Sequence, residues 1–182
     1  MILTDKKEYE GRIERVLISK EEIDAKLREY GAVIDRDYAG KPLLLISILK
    51  GAFIFLGDLS RNITIPHEIG FMAAQSYFEG TSSSGQVNIT LDIAQDISAY
   101  HVLIVEDIID TGRTLKVIHG MLADRNPLSL KVITLLDKPE RRKVEFNADY
   151  TLFTIPDHFV IGYGLDCGEY YRNLPYIAEY KE

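Results

Sequence analysis

Apolar residues in this chain fall into short, nearly continuous runs separated by stretches with helical spacing. Leu43-Leu44-Leu45-Ile46-Ser47-Ile48, Val102-Leu103-Ile104-Val105 and the run at 131–136 show no strict alternation. Strands read this way when helices cover both faces of a parallel sheet. Between the runs, Ile23, Leu27, Tyr30 and Ile34 share one helical face. Ser19-Lys20-Glu21-Glu22 forms a capping box, with Ile18 and Ile23 as a hydrophobic staple, so a helix is expected from about Lys20 into the mid-thirties. Further helices are expected through Ala52-Phe53-Ile54-Phe55-Leu56 and from about Thr114 to Ala123. Glu68–Ser76 and Val87–Leu91 are expected to be the arms of a β-hairpin beside the sheet, and Tyr150–Ile155 and Phe159–Ile161 two more short strands. Residues 1–18 read as a charged segment with a short apolar ending at Val16-Leu17-Ile18. Strands alternating with helices predict an α/β architecture with a parallel sheet.

Composition narrows the picture. The 182 residues suit one domain, and 46% hydrophobic content supports a sizeable core. The net charge is −7, from 21 basic and 28 acidic residues. That balance argues against binding nucleic acid or an anionic membrane with the whole surface. An anionic substrate must then meet a locally positive site, for which Lys50, Lys138 and Arg172 are candidates, or arrive with a cation. The single Cys167 excludes an intrachain disulfide framework and suits a reducing compartment. Met1–Lys7 lacks the long apolar region of a signal peptide. No apolar run approaches the roughly 20 residues that span a bilayer. A cytoplasmic location is expected.

The stretch that carries chemistry is Val105-Glu106-Asp107-Ile108-Ile109-Asp110-Thr111-Gly112-Arg113-Thr114. Two adjacent carboxylates follow a buried strand, at the end where open α/β sheets bind ligands. Such a pair accepts hydrogen bonds from vicinal hydroxyls or holds a hard cation. Gly112 permits a tight turn and a close backbone approach. The amides that open the following helix, with the hydroxyls of Thr111 and Thr114, suit a phosphate. The Gly-Lys-Ser/Thr ending of a Walker loop is absent.

This stretch resembles the phosphoribosyl-pyrophosphate (PRPP) signature of the type I phosphoribosyltransferases. Leu49-Lys50-Gly51, Ser76-Tyr77, Leu136-Asp137-Lys138-Pro139 and Ile155-Pro156-Asp157-His158-Phe159-Val160-Ile161-Gly162-Tyr163 recur in the same order in the hypoxanthine-guanine branch of that family. The similarity runs from about Ser19 to Tyr176. It implies the type I phosphoribosyltransferase fold: a mainly parallel sheet flanked by helices, a flexible loop at about 77–87 that closes over the reacting centre, and a small hood formed by the terminal segments, with the base-binding part at about 155–182. It implies transfer of the 5-phosphoribosyl group from PRPP to hypoxanthine or guanine, giving IMP or GMP and pyrophosphate, with Mg2+. A homodimer or homotetramer is implied as well.

Roles follow residue by residue from the same resemblance. Ile109, Asp110, Thr111, Gly112, Arg113 and Thr114 would hold the 5′-phosphate, and Glu106 and Asp107 the ribose hydroxyls, directly or through metal-bound water. Lys50, Gly51, Ser76, Tyr77 and Arg172 would contact pyrophosphate, with an unusual peptide geometry in the Lys50-Gly51 loop. Lys138 would donate to the purine O6, Phe159 would stack on the ring, the backbone of Val160 would read its edge, and Asp166 would belong to the purine site as well. Glu106, Asp107 and Asp166 would hold magnesium. Asp110 would act as general base near the purine N7, although an Asp there also suits a helix N-cap, as does Thr111.

Other residues receive plainer readings. Arg141-Arg142-Lys143 reads as a solvated basic face or a contact with another subunit. The four histidines show no zinc-ligand spacing, and no pattern activates Cys167. Tyr170-Tyr171, Tyr176 and Tyr180 suit either packing of the C-terminal segment or an interface. Two alternatives to a hypoxanthine-using enzyme are a transferase that prefers xanthine or guanine and a PRPP-sensing regulator of nucleic acid. The acidic chain and its short N-terminal extension disfavour the regulator.

Overall fold

The computed structural model describes residues 9–76 and 87–181. Six strands form the main sheet: β2 (Leu43–Leu49), β3 (His67–Ser76), β4 (Val87–Leu91), β5 (His101–Ile109), β6 (Ser129–Asp137) and β7 (Tyr150–Thr154). Their order is β4-β3-β2-β5-β6-β7. All neighbours run parallel except β3 and β4. The β3–β4 hairpin is therefore the edge of this sheet, in register from Ala73↔Leu91 to Ser76↔Val87, and not an arm laid beside it.

Three helices cover the sheet: α1 (Lys20–Asp37), α2 (Phe53–Asn62) and α3 (Arg113–Ala123). Their apolar stripes explain why the strands lack alternation. Leu43, Leu45, Leu103, Val105, Ile133 and Leu135 pack with Ile23, Leu27 and Ile34 of α1 and Phe55 and Leu59 of α2. The residues between them, Leu44, Ile46, Val102, Ile104 and Val132, pack with Leu115, Ile118 and Leu122 of α3. Successive strand side chains thus enter two different cores. The capping box at Ser19 is present: its hydroxyl accepts from the Glu22 amide at 3.2 Å, and the Ser19 amide donates to Glu22 Oε2 at 2.8 Å.

A second, three-stranded antiparallel sheet joins the two ends of the chain in the order β1-β9-β8. It comprises β1 (Ile13–Ile18), β8 (Val160–Ile161) and β9 (Ile177–Tyr180). The segment before Ser19 is thus a strand and not merely a charged lead. Tyr171 is buried in this hood and stacks on Tyr9 at 4.3 Å between ring centroids; Tyr180 meets it edge-on at 5.7 Å. The tyrosines near the C-terminus therefore pack the hood. No helix among the described residues is long and apolar enough to cross a membrane.

Candidate active site

The strand order reverses between β2 and β5. From β2 the chain moves outward to β3, and it returns to the other side of β2 at β5. The carboxyl ends of two such strands leave a crevice where ligands bind. A cavity of about 320 Å³ lies there. Its walls combine Lys50 and Gly51 from the turn after β2 with Glu106, Asp107, Ile108 and Ile109 at the end of β5 and the turn from Asp110 to Gly112 that follows. Thr114 of α3, and Asp166 and Arg172 from the hood side, complete them. Segments far apart in sequence thus meet in one place. Arg113 opens α3 but lies outside the cavity wall. Ser76 closes β3 opposite Val87. Tyr77 and the loop expected to close over the site lie outside the described residues.

β5 continues past Val105 to Ile109, paired with β6 through Ile109↔Asp137. Glu106 and Asp107 are therefore held on rigid strand backbone and not on a loose strand end. Burial raises both carboxyls. Glu106 stands well above the ordinary carboxyl range, with the neighbouring Asp107 charge adding to the effect of burial. Asp107 is pushed up to about 6 by burial, against a lowering contribution from its bond to the Ile108 amide. Glu106 Oε2 is buried without a hydrogen-bond partner. An orphaned buried carboxylate oxygen demands a hydroxyl or a cation.

No group of three or more His, Cys, Asp or Glu side chains suited to a metal occurs among the described residues. Asp166 is turned to Arg172 Nη2, 2.8 Å from its Oδ1, and to the Glu169 amide, 2.8 Å from its Oδ2. Glu106, Asp107 and Asp166 thus do not close into a protein-only cage. A magnesium ion with one or two carboxylates, waters and substrate oxygens needs no such cage.

The phosphate turn is built as its residue types suggest. Gly112 is the N-cap of α3 at φ 77°, a left-handed conformation that glycine adopts without strain. No side chain caps α3, so neither Asp110 nor Thr111 serves as the N-cap. The Thr111 hydroxyl makes only a long contact with the Arg113 amide, 3.4 Å. The amides of the first helical turn remain suited to an anion. The Leu49–Lys50 peptide is cis, the unusual geometry anticipated at this loop.

Arg141 and Lys143 of the basic run after β6 are exposed, as a solvated face would be, whereas Arg142 is half-buried and turned inward. Arg142 Nη1 donates to the Asp110 carbonyl at 2.6 Å, and its other nitrogen pairs with Asp137. The Lys143 amide donates to the Thr111 carbonyl at 3.0 Å, and the Lys138 amide to the Ile109 carbonyl at 3.0 Å. Arg141 Nε lies 2.8 Å from Asp110 Oδ1. The segment from Lys138 to Lys143 therefore braces the phosphate turn from behind. One available signal was the position of two arginines three and four residues after Lys138, close to a Pro-induced turn.

The purine-reading residues lie next to this brace. Lys138 is 7% exposed, and its ammonium donates to the His158 carbonyl. Phe159 is 49% exposed, which leaves a face free and excludes a simple core role. Its ring meets Tyr180 edge-on at 5.6 Å. Val160 is buried in β8 beside it. His158 is in turn fixed by Glu179, 2.7 Å away, which also accepts from Arg15 of β1 at 2.9 Å. The hood thereby anchors the turn that carries Phe159.

Fold and site define the class: a type I phosphoribosyltransferase. The phosphoribosyl transferase domain family matches residues 19–167. The hypoxanthine-guanine phosphoribosyltransferase of Streptococcus pneumoniae is 53% identical over 173 residues, 95% of this chain and 96% of its own. This chain belongs to the hypoxanthine-guanine phosphoribosyltransferase family. A hypoxanthine phosphoribosyltransferase structure from Staphylococcus aureus superposes with a TM-score of 0.92 at 45% identity, covering 97% of this chain and 96% of that one. A mutant of the Trypanosoma cruzi enzyme, solved as a ternary substrates complex, gives 0.89 at 44% identity over 94% and 97%.

Proposed function

We propose that this enzyme transfers the 5-phosphoribosyl group of PRPP to N9 of hypoxanthine, and of guanine, giving IMP or GMP. The bond from C1′ to the pyrophosphate oxygen breaks, the N9–C1′ bond forms, and the purine gives up a proton. The observation that carries this reading is the meeting of the Glu106–Asp107 pair, the Gly112 turn, Lys50 and Arg172 around one cavity. The turn from Asp110 to Thr114 takes the 5′-phosphate on backbone amides. Glu106 and Asp107 accept from the ribose hydroxyls, which supplies the partner that Glu106 Oε2 lacks. Lys50 and Arg172 face the leaving pyrophosphate, and a guanidinium binds such oxygens through paired hydrogen bonds.

Magnesium fits the same carboxylates, Glu106 and Asp107, with Asp166 nearby. When bound it neutralises pyrophosphate charge. In this reading Asp110 accepts a proton from, or stabilises positive character on, the purine at N7. Lys138 donates to O6. Adenine presents an amino group there, so two donors would face each other in a closed site, a costly arrangement. Phe159 offers its free face to the ring.

Steady-state rates with hypoxanthine, guanine, xanthine and adenine, each with PRPP and magnesium, test the reading. Turnover of hypoxanthine and guanine with adenine inert supports it. Faster use of adenine than of any 6-oxopurine overturns the role of Lys138, and a preference for xanthine replaces the named substrates.

A further inference from the structure

Four charged side chains form a line across the purine end of the site. Asp110 Oδ1 lies 2.8 Å from Arg141 Nε, an ion pair without the alignment of a hydrogen bond. Arg141 Nη1 lies 3.5 Å and 3.3 Å from Asp157 Oδ1 and Oδ2. Asp157 Oδ1 lies 3.7 Å from Lys138 Nζ. The ends of this line, Asp110 and Lys138, are the groups assigned above to N7 and O6. Those two atoms are neighbours on one edge of a 6-oxopurine, so the spacing of their protein partners has to be set closely.

The two carboxylates come from different elements. Asp110 belongs to the turn after β5, and Asp157 to the turn before β8. Arg142 fixes the backbone of the first turn through the Asp110 carbonyl, but it leaves the carboxylate to Arg141. A planar guanidinium presents several donors in a fixed fork and can hold two carboxylates at once, whereas an ammonium acts as a point charge. Arg141, Asp110 and Asp157 are all roughly half-exposed. Exposed ion pairs add little to stability, so the bridge can be removed without unfolding the chain.

We propose that Arg141 is a positioning residue for the purine, one that registers the Asp110 carboxylate against Lys138 by holding Asp110 and Asp157 together. The inference rests on the roles given to Asp110 and Lys138 above. It predicts a defect seen on the purine side of the reaction and not in the binding of PRPP. Misplacing a reacting group by about an ångström costs on the order of 100-fold, and a partial displacement less.

The test is steady-state kinetics on Arg141→Gln, Arg141→Lys, Asp157→Asn and the double variant Arg141→Gln/Asp157→Asn, with melting temperatures for each. The expected result for Arg141→Gln is a fall in kcat of roughly 10- to 100-fold with hypoxanthine and a raised KM for hypoxanthine. The KM for PRPP and the melting temperature should stay as in the parent. Arg141→Lys should recover only part of the loss, and the double variant should be no worse than Arg141→Gln, as expected of groups acting as a unit. Placed in an Asp110→Asn background, Arg141→Gln should have no further effect on kcat. Parent-like kinetics for Arg141→Gln, an equal rise in the KM for PRPP, full rescue by lysine, or additive losses each overturn the proposal. Failure of the parent to use any 6-oxopurine would instead overturn the functional reading beneath it.

Discussion

Gly51 is pressed against the carboxylate of Asp107: a β-carbon on Gly51 would overlap Asp107 Oδ2. On its other side, a β-carbon at Gly164 would overlap the Gly51 carbonyl. The turn after β2 is thus sandwiched between the acidic pair and the hood. Gly51→Ala has to push Asp107 out of line or displace the turn that carries Lys50. The expected outcome is a fall in kcat/KM for PRPP on the order of 100-fold, the scale of an ångström-level misplacement. Kinetics with PRPP varied check it, with circular dichroism confirming a folded chain; parent-like values would show that the turn yields freely.

Asp110 neither caps α3 nor turns into the core. Its carboxylate is held by Arg141 and its carbonyl by Arg142. Asp110→Asn keeps the shape and removes the proton acceptor, so kcat should fall by about 100-fold or more. The KM for PRPP should move far less, because the phosphate is held by backbone. An unchanged kcat would remove Asp110 from the chemistry.

Lys138 carries the discrimination between purines. Lys138→Gln leaves a donor but removes the charge. A hydrogen bond to a charged group contributes about 1.5–3 kcal/mol, so kcat/KM for hypoxanthine should drop between about 10- and 100-fold. The glutamine oxygen can also accept from the adenine amino group, so the ratio of adenine to hypoxanthine use should rise. Rates with both bases give the answer, and an unchanged ratio would place discrimination elsewhere.

The central architecture was legible because its determinants are local. Nearly continuous apolar runs mark β2 and the first half of β5, and the Ser19 box marks the start of α1. The PRPP turn, too, is contiguous in sequence. What could not be read depends on partners far apart along the chain. β1 exposes Glu14 and Arg15, and its partners lie at the opposite terminus, as in Ile13↔Tyr180. No window of sequence contains that pairing. Glu106 and Asp107 break the apolar run of β5, yet pairing with β6 keeps them in the strand. Arg141 and Arg142 look like ordinary surface charge until the fold brings Asp110, Asp137 and Asp157 to them. Composition says what a side chain can bind, but only tertiary placement says what it does bind.

The half-buried acidic pair makes a prediction about pH. Glu106 and Asp107 have folded-state pKa values raised above those of an unfolded chain. The folded state therefore holds protons that the unfolded state releases. At low pH both states are protonated and the pair costs nothing. As pH rises from about 4, where free carboxyls ionise, through about 6 for Asp107, folding has to bear two charges in a buried site, and stability falls. Carboxylates held low by hydrogen bonds, such as Asp35 and Asp37, act in the opposite sense at lower pH, so the informative quantity is a difference between variants. Glu106→Gln removes one charge while keeping the shape. Its melting temperature should exceed that of the parent at pH 7 by more than it does at pH 4.5, without ligand. Magnesium with PRPP should raise the parent more than the variant, because the ligand supplies what Glu106 Oε2 lacks. Thermal denaturation at the two pH values, with and without ligand, decides it. A parent-to-variant gap that does not change with pH would mean that Glu106 is already satisfied in the free enzyme.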